Sequence, residues 1–234
     1  MEKKLLGILG GMGPEATQIF YKKIIDNTQV DNDREHLDIL IYNHASIPDR
    51  TECILCGRED YLWGIIEDDI KKLKGMGSDY LAIPCNTCHY FAEKLYKEMN
   101  GKFINMIEET AAYVNELGKK TAGIMATDGT IQSDLYRKYL GKYGIETVYP
   151  SNAKQRDVMS LIYDQIKCGE KGDKHQFIGI SKELREAGCD CIILACTELS
   201  VFNINYGLNN SYYVDALDVL AKACIIKCGG RYCD

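Results

Sequence analysis

KKLLGILGGMGPEATQIFYKKI, residues 3–24, contains a short apolar run, a glycine-containing turn and then apolar residues at helical spacing. This pattern predicts a β-strand, a loop and an amphipathic helix in that order. KKTAGIMATDGTIQSDLYRKYL, residues 119–140, repeats the pattern 116 positions later, with Gly, Ile and Lys at matching places. The middle of the chain therefore begins a second strand, loop and helix of the same kind.

Two further pairs of segments match in the same order along the chain. MGSDYLAIPC (76–85) matches AGCDCIILAC (187–196) at an offset of 111, and FINMIEETA (103–111) matches YVDALDVLA (213–221) at an offset of 110. Chance could supply one such match. Three matches in one order indicate a duplicated unit.

Strand-like and helix-like segments alternate in both copies, which predicts parallel sheets covered by helices on both faces. The expected fold class is therefore α/β, with two similar doubly wound lobes. Further strands are predicted at Leu37–Tyr42, Tyr80–Ile83, Phe103–Met106, Thr121–Met125, Glu146–Tyr149, Cys191–Ala195 and Tyr212–Val214, and helices at Tyr61–Lys74, Ala92–Met99 and Phe177–Ala187.

The composition is that of an ordinary globular protein: of 234 residues, 46% are hydrophobic and 26% are charged. The net charge is −6 and Lys and Arg are spread along the chain, so there is no basic patch for nucleic acid. No apolar run is long enough to span a membrane, and the first residues lack the pattern of an export signal. We therefore expect a cytoplasmic protein whose 11 cysteines are mostly reduced.

One cysteine in each copy follows an apolar strand and precedes helical sequence. Ligands of doubly wound sheets bind beyond the carboxyl ends of the strands. Lobes related by an approximate two-fold axis would therefore bring Cys85 and Cys196 together across one cleft. The residues that follow, Asn86–Thr87 and Thr197–Glu198, are typical of helix caps, and a thiol near a helix N-terminus is more acidic than usual. Two equivalent cysteines favour a paired functional role over two buried core thiols.

The first cysteine motif, PCNTCH, leaves three other interpretations open. C-x-x-C-H is also the attachment signature of a c-type haem, but that attachment normally belongs to exported chains. Cys85 and Cys88 have the spacing of a redox dithiol, although only Cys85 has a counterpart in the second copy. Cys53, Cys56, Cys85 and Cys88 could bind zinc, but the 28 residues between the pairs are more than a compact knuckle needs. We expect Cys88 to be a buried helix residue and His89 a neighbouring polar group.

The loop after the first strand has two possible ligands. Gly11–Ala16 fits the loose dinucleotide pattern G-x-G-x-x-A, but Asn43 and His44 stand where an acidic residue usually ends the next strand. The glycines would also let backbone N–H groups approach a small anion such as a carboxylate. A tight turn without a ligand is the alternative for this loop and for its counterpart, Thr127–Thr130.

Two basic residues are candidates for binding an acidic ligand. Arg50, in SIPDR after the second strand, can grip a carboxylate with two hydrogen bonds. Lys167 ends a helical stretch, where a lysine is often only a solvated charge. Spacing alone leaves both a binding role and a surface role open for Lys167.

Six motifs, in order across nearly the entire chain, resemble the aspartate/glutamate racemase family and specifically its aspartate racemase branch: GILGGMGPEAT, SIPDRT, PCNTCH, MIEETA, TDGTI and LACTELS. The resemblance implies two similar α/β lobes about a pseudo-two-fold axis, with the active site in the cleft between them. It also implies that the C-terminal segment returns to the first lobe. We therefore expect residues 1–113 plus about 210–234 in the first lobe and residues 114–209 in the second.

The same resemblance implies racemisation of an amino acid without a cofactor, neither pyridoxal phosphate nor a metal. One cysteine thiolate removes the α-proton from one face, and the other cysteine, as a thiol, returns a proton from the opposite face. By motif position, Cys85 and Cys196 are the expected bases. The expected substrate-binding residues are Met12 and Gly13 through their amides, Asn86, Thr87, Thr127, Thr130 and Thr197 for the α-carboxylate and ammonium, Arg50 and Lys167 for the side-chain carboxylate, and Glu198.

The residue after Thr197 points to the substrate. The glutamate-specific branch tends to carry His there, so Glu198 favours L- and D-aspartate. Ala195 stands where the family more often has Gly, and Cys88 replaces a small residue and could form a disulfide with Cys85. The expected partners are a small dicarboxylic amino acid and, as implied by the family, a second copy in a homodimer, with no nucleic acid or membrane. The alternatives are a broader amino-acid (glutamate) racemase, a dicarboxylate isomerase and, more remotely, a thiol-based redox or zinc-binding protein.

Overall fold

A computed structural model describes residues 3–208 and 211–233, and it divides into two compact units. The first unit contains the residues up to Met106 together with those from Leu217 onward, and the second contains Ile107–Ala216. The strands are β1 (Leu6–Gly10), β2 (Ile39–Asn43), β3 (Tyr80–Ala82), β4 (Phe103–Ile104), β5 (Thr121–Ala126), β6 (Glu146–Val148), β7 (Cys191–Ala195) and β8 (Tyr213–Asp215).

Helices connect the strands in both units. They are α1 (Pro14–Asn27), α2 (Arg50–Leu55), α3 (Glu59–Gly75), α4 (Ala92–Glu98), α5 (Met106–Glu116), α6 (Asp128–Gln132), α7 (Leu135–Gly141), α8 (Asn152–Ser160), α9 (Lys174–Glu186), α10 (Thr197–Tyr206) and α11 (Ala216–Lys227). Shorter 3-10 segments lie at Asp33–Glu35, Asn86–Phe91 and Ile166–Cys168, and a π-helical turn lies at Leu161–Gln165.

Each unit contains one four-stranded parallel sheet. The strand order is β2-β1-β3-β4 in the first sheet and β6-β5-β7-β8 in the second, which is the same order shifted by four strands. The predicted α/β class with two similar lobes and parallel sheets is confirmed. The inner strands β1 and β7 are buried along their entire length, as expected for strands covered by helices on both faces.

The duplication is visible in one repeated contact. In the first unit, the N–H of Leu5 donates to the Asp79 carboxylate at 2.9 Å, and the N–H of Asp79 donates to the Leu5 carbonyl at 2.8 Å. In the second unit, Thr121 and Asp190 make the same two hydrogen bonds, at 3.2 and 2.9 Å. Leu5 directly precedes β1 and Thr121 begins β5. Asp79 and Asp190 directly precede the neighbouring inner strands β3 and β7. Matching sequence positions therefore make the same hydrogen bonds in both units.

The chain leaves each unit at the same point of the repeat. β4 is the fourth strand of the first unit, and the residues of α5 from Ile107 onward belong to the second unit. β8 is the fourth strand of the second unit, and the residues of α11 from Leu217 onward belong to the first. The C-terminal helix is therefore part of the first unit.

Within residues 3–208 and 211–233, we find no helix that has both the length and the apolar character needed to cross a membrane.

Candidate active site

The loop after β1 has a conformation that requires glycine at its first position. Gly11 has a φ of +95°, and a Cβ atom there would lie 2.4 Å from the carbonyl carbon of His44. Thr17 fastens the loop, since its hydroxyl accepts from the N–H of Gly11 and donates to the carbonyl of Gly13, both at 2.9 Å. Pro14 then begins α1. Close packing of this turn accounts for the glycine at the start of the dinucleotide-like pattern.

Arg50 begins α2 and lies buried beside Cys85, with 8% of its surface exposed. Its guanidinium donates to the carbonyl oxygens of Pro48 at 3.1 Å and Met12 at 3.5 Å. Burial lowers the pKa of Arg50, but negative charge on Cys85 and Asp49 and a hydrogen bond to Cys85 outweigh burial and raise the pKa above its usual value. The attraction is mutual, so the guanidinium stabilises a thiolate at Cys85.

Cys88 lies against the same sulfur atom. It is fully buried in the 3-10 segment, and its Sγ lies 3.2 Å from the Sδ of Met12. A hydrogen bond to Cys85, together with burial, raises the pKa of the Cys88 thiol well above its usual value. Cys88 therefore keeps its proton and donates it toward the Cys85 sulfur. The expectation of a buried helical residue at this position is correct.

His89 anchors the backbone of the cysteine segment. Its Nε2 accepts from the N–H of Met106 at 3.0 Å, so the ring proton is on Nδ1, which donates to the carbonyl of Cys85 at 2.9 Å. Burial lowers the pKa of His89 to about 4, so the ring is neutral near pH 7. The sequence predicted a neighbouring polar group here, and the structure shows a buried link between Cys85 and the first residue of α5.

The structure corrects the helix starts expected beside the two cysteines. Asn86 begins the 3-10 segment and Thr197 begins α10, so Cys85 and Cys196 are themselves the residues that precede each helix. Their backbones are extended, with φ values of −158° and −151°, which is the usual conformation at this position. The residues predicted to cap therefore occupy the first helical turns, and the side chains of Cys85 and Cys196 do not cap the helices that they precede.

The loop after β5 holds two buried hydroxyl groups close together. The Thr127 side chain caps α6 by accepting from the N–H of Thr130 at 3.4 Å, and the two hydroxyl oxygens are 3.2 Å apart. Gln155 on α8 fastens this loop, since its amide donates to the carbonyl of Ala126 at 2.9 Å and to the Asp128 carboxylate at 2.8 Å. The hydroxyl pair is thus fixed at the carboxyl end of β5, one of the two inner strands of its sheet.

Cys196 has an acidic neighbour where Cys85 has a basic one. Its thiol donates to Oε2 of Glu198 at 2.8 Å, and the Thr197 hydroxyl donates to the same oxygen at 3.3 Å. Burial raises the pKa of Cys196 well above its usual value, the charge and hydrogen bond of Glu198 raise it further, and the positive charge of Lys167 lowers it. Cys196 is therefore held as a thiol.

Lys167 lies in an irregular helical segment. It belongs to the short 3-10 segment that follows the π-helical turn Leu161–Gln165, and turns of this kind are frequent at functional sites. Its Nζ lies 3.7 Å from the centre of the Tyr163 ring. Although Lys167 is exposed, its charge acts on the thiol of Cys196. Lys167 therefore lies close enough to Cys196 for its charge to affect that thiol.

The structure brings the predicted residues together in one cluster per unit. Arg50 and Met12 surround Cys85 in the first, and Glu198 and Lys167 surround Cys196 in the second. The other predicted residues lie in the adjoining loops and first helical turns of their own units: Gly13, Asn86 and Thr87 in the first, and Thr127, Thr130 and Thr197 in the second.

Sequence reasoning missed two residues of these clusters. Asp49 precedes α2, caps it by accepting from the N–H of Glu52 at 2.9 Å, and raises the pKa of Arg50. The D-x-x-E spacing of a capping box was the available signal. Tyr163 stands four positions before Lys167, a spacing that places two helical side chains side by side.

The thiols do not gather as a metal site in the described part of the chain. No three His, Cys, Asp or Glu side chains of residues 3–208 and 211–233 are arranged to hold a metal ion, so the four cysteines of the zinc alternative do not form one. Cys53 instead lies 3.6 Å from a guanidinium nitrogen of Arg58, and Cys56 is exposed. All 11 cysteines are free thiols.

Comparison with known proteins adds a family and several relatives. The profile of a family described as Asp/Glu/hydantoin racemase matches residues 9–224. The broad-specificity amino-acid racemase of Bacillus subtilis (strain 168) is 29% identical over 227 residues, which cover 94% of this chain and 96% of the relative.

Two solved structures share the fold over nearly their whole length. An aspartate racemase of Picrophilus torridus is 32% identical with a TM-score of 0.81, covering 98% of this chain and 96% of its own. An aspartate racemase homologue from Pyrococcus horikoshii is 23% identical with a TM-score of 0.74, covering 96% and 99%, and supports the fold alone.

Proposed function

The chain belongs to the Asp/Glu/hydantoin racemase family, and from this premise we propose that it interconverts L- and D-aspartate by proton transfer between the α-carbon and two cysteines. In this proposal Cys85 and Cys196 are the two acid/base groups, one from each unit. The reaction removes and returns a proton on opposite faces of one carbon, so it needs two such groups, one in each protonation state.

The proposal is supported by the opposite charges of the groups beside the two thiols. Arg50 stabilises negative charge on Cys85, whereas Glu198 holds the proton on Cys196. These surroundings favour a thiolate at Cys85 and a thiol at Cys196, which is the combination that a two-base racemase must start from. Two structural core thiols would need neither a buried guanidinium nor a hydrogen-bonded carboxylate.

In the proposed reaction, one cysteine accepts a proton and the other donates one. The Cys85 thiolate takes the α-proton, and the electron pair of the C–H bond passes into the carbanion and its carboxylate. Cys196 gives its thiol proton to the opposite face, forming the new C–H bond and becoming a thiolate. The negative charge of Glu198 destabilises the Cys196 thiolate that results. The state after turnover therefore favours the reverse reaction or the protonation of Cys196 by solvent.

Groups that would hold the substrate lie beside each thiol. We assign the side-chain carboxylate to Arg50 and Lys167, because both cations act on a catalytic thiol and would neutralise a nearby anion. The buried Nε of Arg50 makes no hydrogen bond to any described residue, so it can donate to a carboxylate. The α-carboxylate and ammonium are assigned to the Met12 and Gly13 amides and to Asn86, Thr87, Thr127, Thr130 and Thr197.

Deuterium exchange tests this function directly. Purified protein is incubated with L-aspartate in D2O, and the α-proton signal is followed by NMR while the enantiomers are separated by chiral chromatography. Deuterium should enter the α-position and D-aspartate should accumulate to an equal mixture. Cys85→Ala and Cys196→Ala should each abolish racemisation, whereas Cys233→Ala, which changes an exposed thiol, should leave it intact. Normal turnover in either of the first two variants refutes the two-base assignment.

A broader substrate range is the second candidate, and the Bacillus relative favours it, because that protein is a broad-specificity amino-acid racemase. The same exchange assay with glutamate and several neutral amino acids separates the candidates. Aspartate preference predicts a kcat/KM for aspartate at least tenfold above the others, whereas comparable values support the broader activity.

We also propose that the enzyme works in the cytoplasm as a homodimer and without pyridoxal phosphate. The family resemblance motivates the dimer, and sedimentation equilibrium of the purified protein tests it. Activity that survives dialysis against a chelator and a carbonyl reagent supports cofactor independence, and its loss contradicts it.

A further inference from the structure

Cys88 is a buried thiol that the proposed proton transfer does not use. It is the second cysteine of the C-x-x-C sequence in PCNTCH, and its side chain is fully buried. Its Sγ lies 3.2 Å from the Sδ of Met12 and makes a hydrogen bond with the Cys85 sulfur. Cys88 therefore places a second thiol against the sulfur of the proposed base.

The backbone of this segment has the spacing that a disulfide requires. Cys85 directly precedes the 3-10 segment Asn86–Phe91, and Cys88 lies in its first turn. A 3-10 helix has three residues per turn, so side chains three positions apart lie above each other, with Cα atoms about 6 Å apart. Disulfides join Cα atoms that are about 4.4 to 6.8 Å apart, so the two sulfurs can bond without unwinding the segment.

Exposure and charge decide which of the two thiols is oxidised first. Cys85 keeps 6% of its surface exposed, whereas Cys88 has none. The guanidinium of Arg50 stabilises a thiolate at Cys85, and the thiolate is the form of cysteine that attacks an oxidant. Cys85 is therefore the sulfur that a small oxidant reaches and reacts with first.

Oxidation of Cys85 then makes its neighbour more reactive. A hydrogen bond to Cys85, burial and the negative charge of Cys85 raise the pKa of the Cys88 thiol, whereas the positive charge of Arg50 lowers it. A sulfenic acid at Cys85 is neutral, so it no longer opposes the deprotonation of Cys88, while Arg50 continues to favour it. The same guanidinium can therefore activate first one sulfur and then the other.

We propose that Cys85 and Cys88 form a reversible disulfide on exposure to hydrogen peroxide, and that Cys88 thereby protects the proposed base from irreversible oxidation. The Cys85 thiolate attacks one peroxide oxygen, the O–O bond breaks, hydroxide leaves and a sulfenic acid forms. The Cys88 thiol then loses its proton and its sulfur attacks Cys85. The S–S bond forms, the S–O bond breaks, and the departing hydroxide takes up that proton as water. The two sulfurs are oxidised and the two peroxide oxygens are reduced.

The second unit lacks the second thiol of this pair. At the offset of 111 that matches Cys85 with Cys196, Cys88 matches Leu199, a buried apolar residue. Glu198 also holds the proton on Cys196, which makes that sulfur a poorer nucleophile. The first copy of the repeat therefore has a partner thiol that the second copy does not have.

Peptide mass spectrometry tests the disulfide without any use of racemase activity. Protein treated with hydrogen peroxide is denatured in iodoacetamide, which blocks the remaining thiols, and is digested with trypsin. Both cysteines lie in one tryptic peptide, residues 75–94, which contains no other cysteine. This peptide should be unalkylated and about 2 Da lighter than its reduced form. The proposal is overturned if Cys85 stays reduced while the exposed Cys56 is oxidised, or if Cys85 becomes a sulfinic acid or is linked to a cysteine other than Cys88.

Cys88→Ala removes the partner thiol, and Cys196→Ala is the matched control. After oxidation, dithiothreitol should restore nearly all of the wild-type activity. In Cys88→Ala, Cys85 should pass to the sulfinic acid, which thiols do not reduce, and less than about a fifth of the activity should return. Each activity is compared with that of the same variant before oxidation. Equal recovery in wild type and Cys88→Ala contradicts protection by Cys88. Cys196→Ala should form the disulfide as fast as wild type, although it should not racemise.

The loss of activity on oxidation rests on the proposed function, because a Cys85 held in a disulfide cannot take a proton from the substrate. The disulfide itself does not depend on that function. If the disulfide forms but the reduced wild type does not racemise, or the oxidised protein stays fully active, the proposed role of Cys85 as a base is refuted and the disulfide is supported. If racemisation requires Cys85 but no disulfide forms, the disulfide is refuted and the proposed function is supported.

Discussion

Lowering the pH should destabilise the first unit through one buried imidazole, His89. Its Nε2 accepts a hydrogen bond from the Met106 N–H, so protonation would set two donors against each other inside the protein. Burial accordingly lowers the pKa of His89 from 6.5 to about 4. Between these two pH values the unfolded chain binds a proton that the folded chain does not, so stability falls as the pH falls.

The size of the effect follows from the two pKa values. The contribution is present in full above pH 6.5, declines as the pH falls from there, and is lost below pH 4. The full difference of about 2.5 units corresponds to about 3 kcal/mol. Between pH 7 and pH 5 the expected loss is about 2 kcal/mol, which is measurable while the protein is still folded.

The assay is urea denaturation followed by tryptophan fluorescence. The chain has one tryptophan, Trp63, and its ring lies 5.5 Å from that of Phe91 in the first unit, two residues from His89. Wild type is compared with His89→Gln, which does not titrate, so that the other ionisable groups cancel in the difference. Wild type should lose about 2 kcal/mol relative to His89→Gln between pH 7 and pH 5.

A matched control is His175→Gln, because His175 is exposed at the start of α9. This variant should follow the wild-type pH dependence. If the wild type and His89→Gln lose stability in parallel between pH 7 and pH 5, His89 is not held neutral by burial, and the assigned tautomer and link to Met106 are wrong.

Three further predictions concern the thiols and the repeated contact. Glu198→Gln removes a charge-assisted hydrogen bond of about 1.5 to 3 kcal/mol and should lower the pKa of Cys196, and an alkylation midpoint that stays or rises contradicts this. Arg50→Met should slow iodoacetamide alkylation of Cys85 at pH 7 by about tenfold, because the thiolate loses its cation, and an equal or faster rate would exclude that role. Asp190→Asn should lower the free energy of unfolding by about 1 kcal/mol in urea denaturation followed by circular dichroism, and an unchanged midpoint would show that the repeated contact adds no stability.

The fold could be predicted because the apolar runs indicate the strands and the duplication indicates the same strands a second time. β7 spans the predicted Cys191–Ala195, and the other predicted strands lie within two residues of those observed. The helix ends were harder to predict. α3 begins at Glu59 rather than Tyr61, because Glu59 and Asp60 carry no apolar periodicity yet stabilise the first turn through its dipole.

The candidate site was less accessible to sequence reasoning where backbone geometry departs from regular helices. Periodicity cannot show the π-helical turn before Lys167, since an extra residue in one turn leaves the composition of the segment unchanged. Nor does it show that Cys196 and Glu198 meet. Residues two apart do not face each other within a helix, but here the first lies at the boundary of α10 and the second within its first turn.

The two halves of the chain therefore agree in backbone and differ in charge, and the difference is what the proposed chemistry requires. At an offset of 111, Cys85 matches Cys196 and Thr87 matches Glu198, so duplication alone would give two thiols in equivalent surroundings. Two identical thiols would prefer the same protonation state, and a resting site with two thiols has no base while one with two thiolates has no acid. Arg50 beside the first sulfur and Glu198 beside the second remove this symmetry. A double variant, Arg50→Met with Glu198→Gln, should therefore lose more racemase activity than its effect on either thiol alone explains, because Cys85 is driven toward the thiol while Cys196 is released toward the thiolate, and the difference between the two thiols is lost.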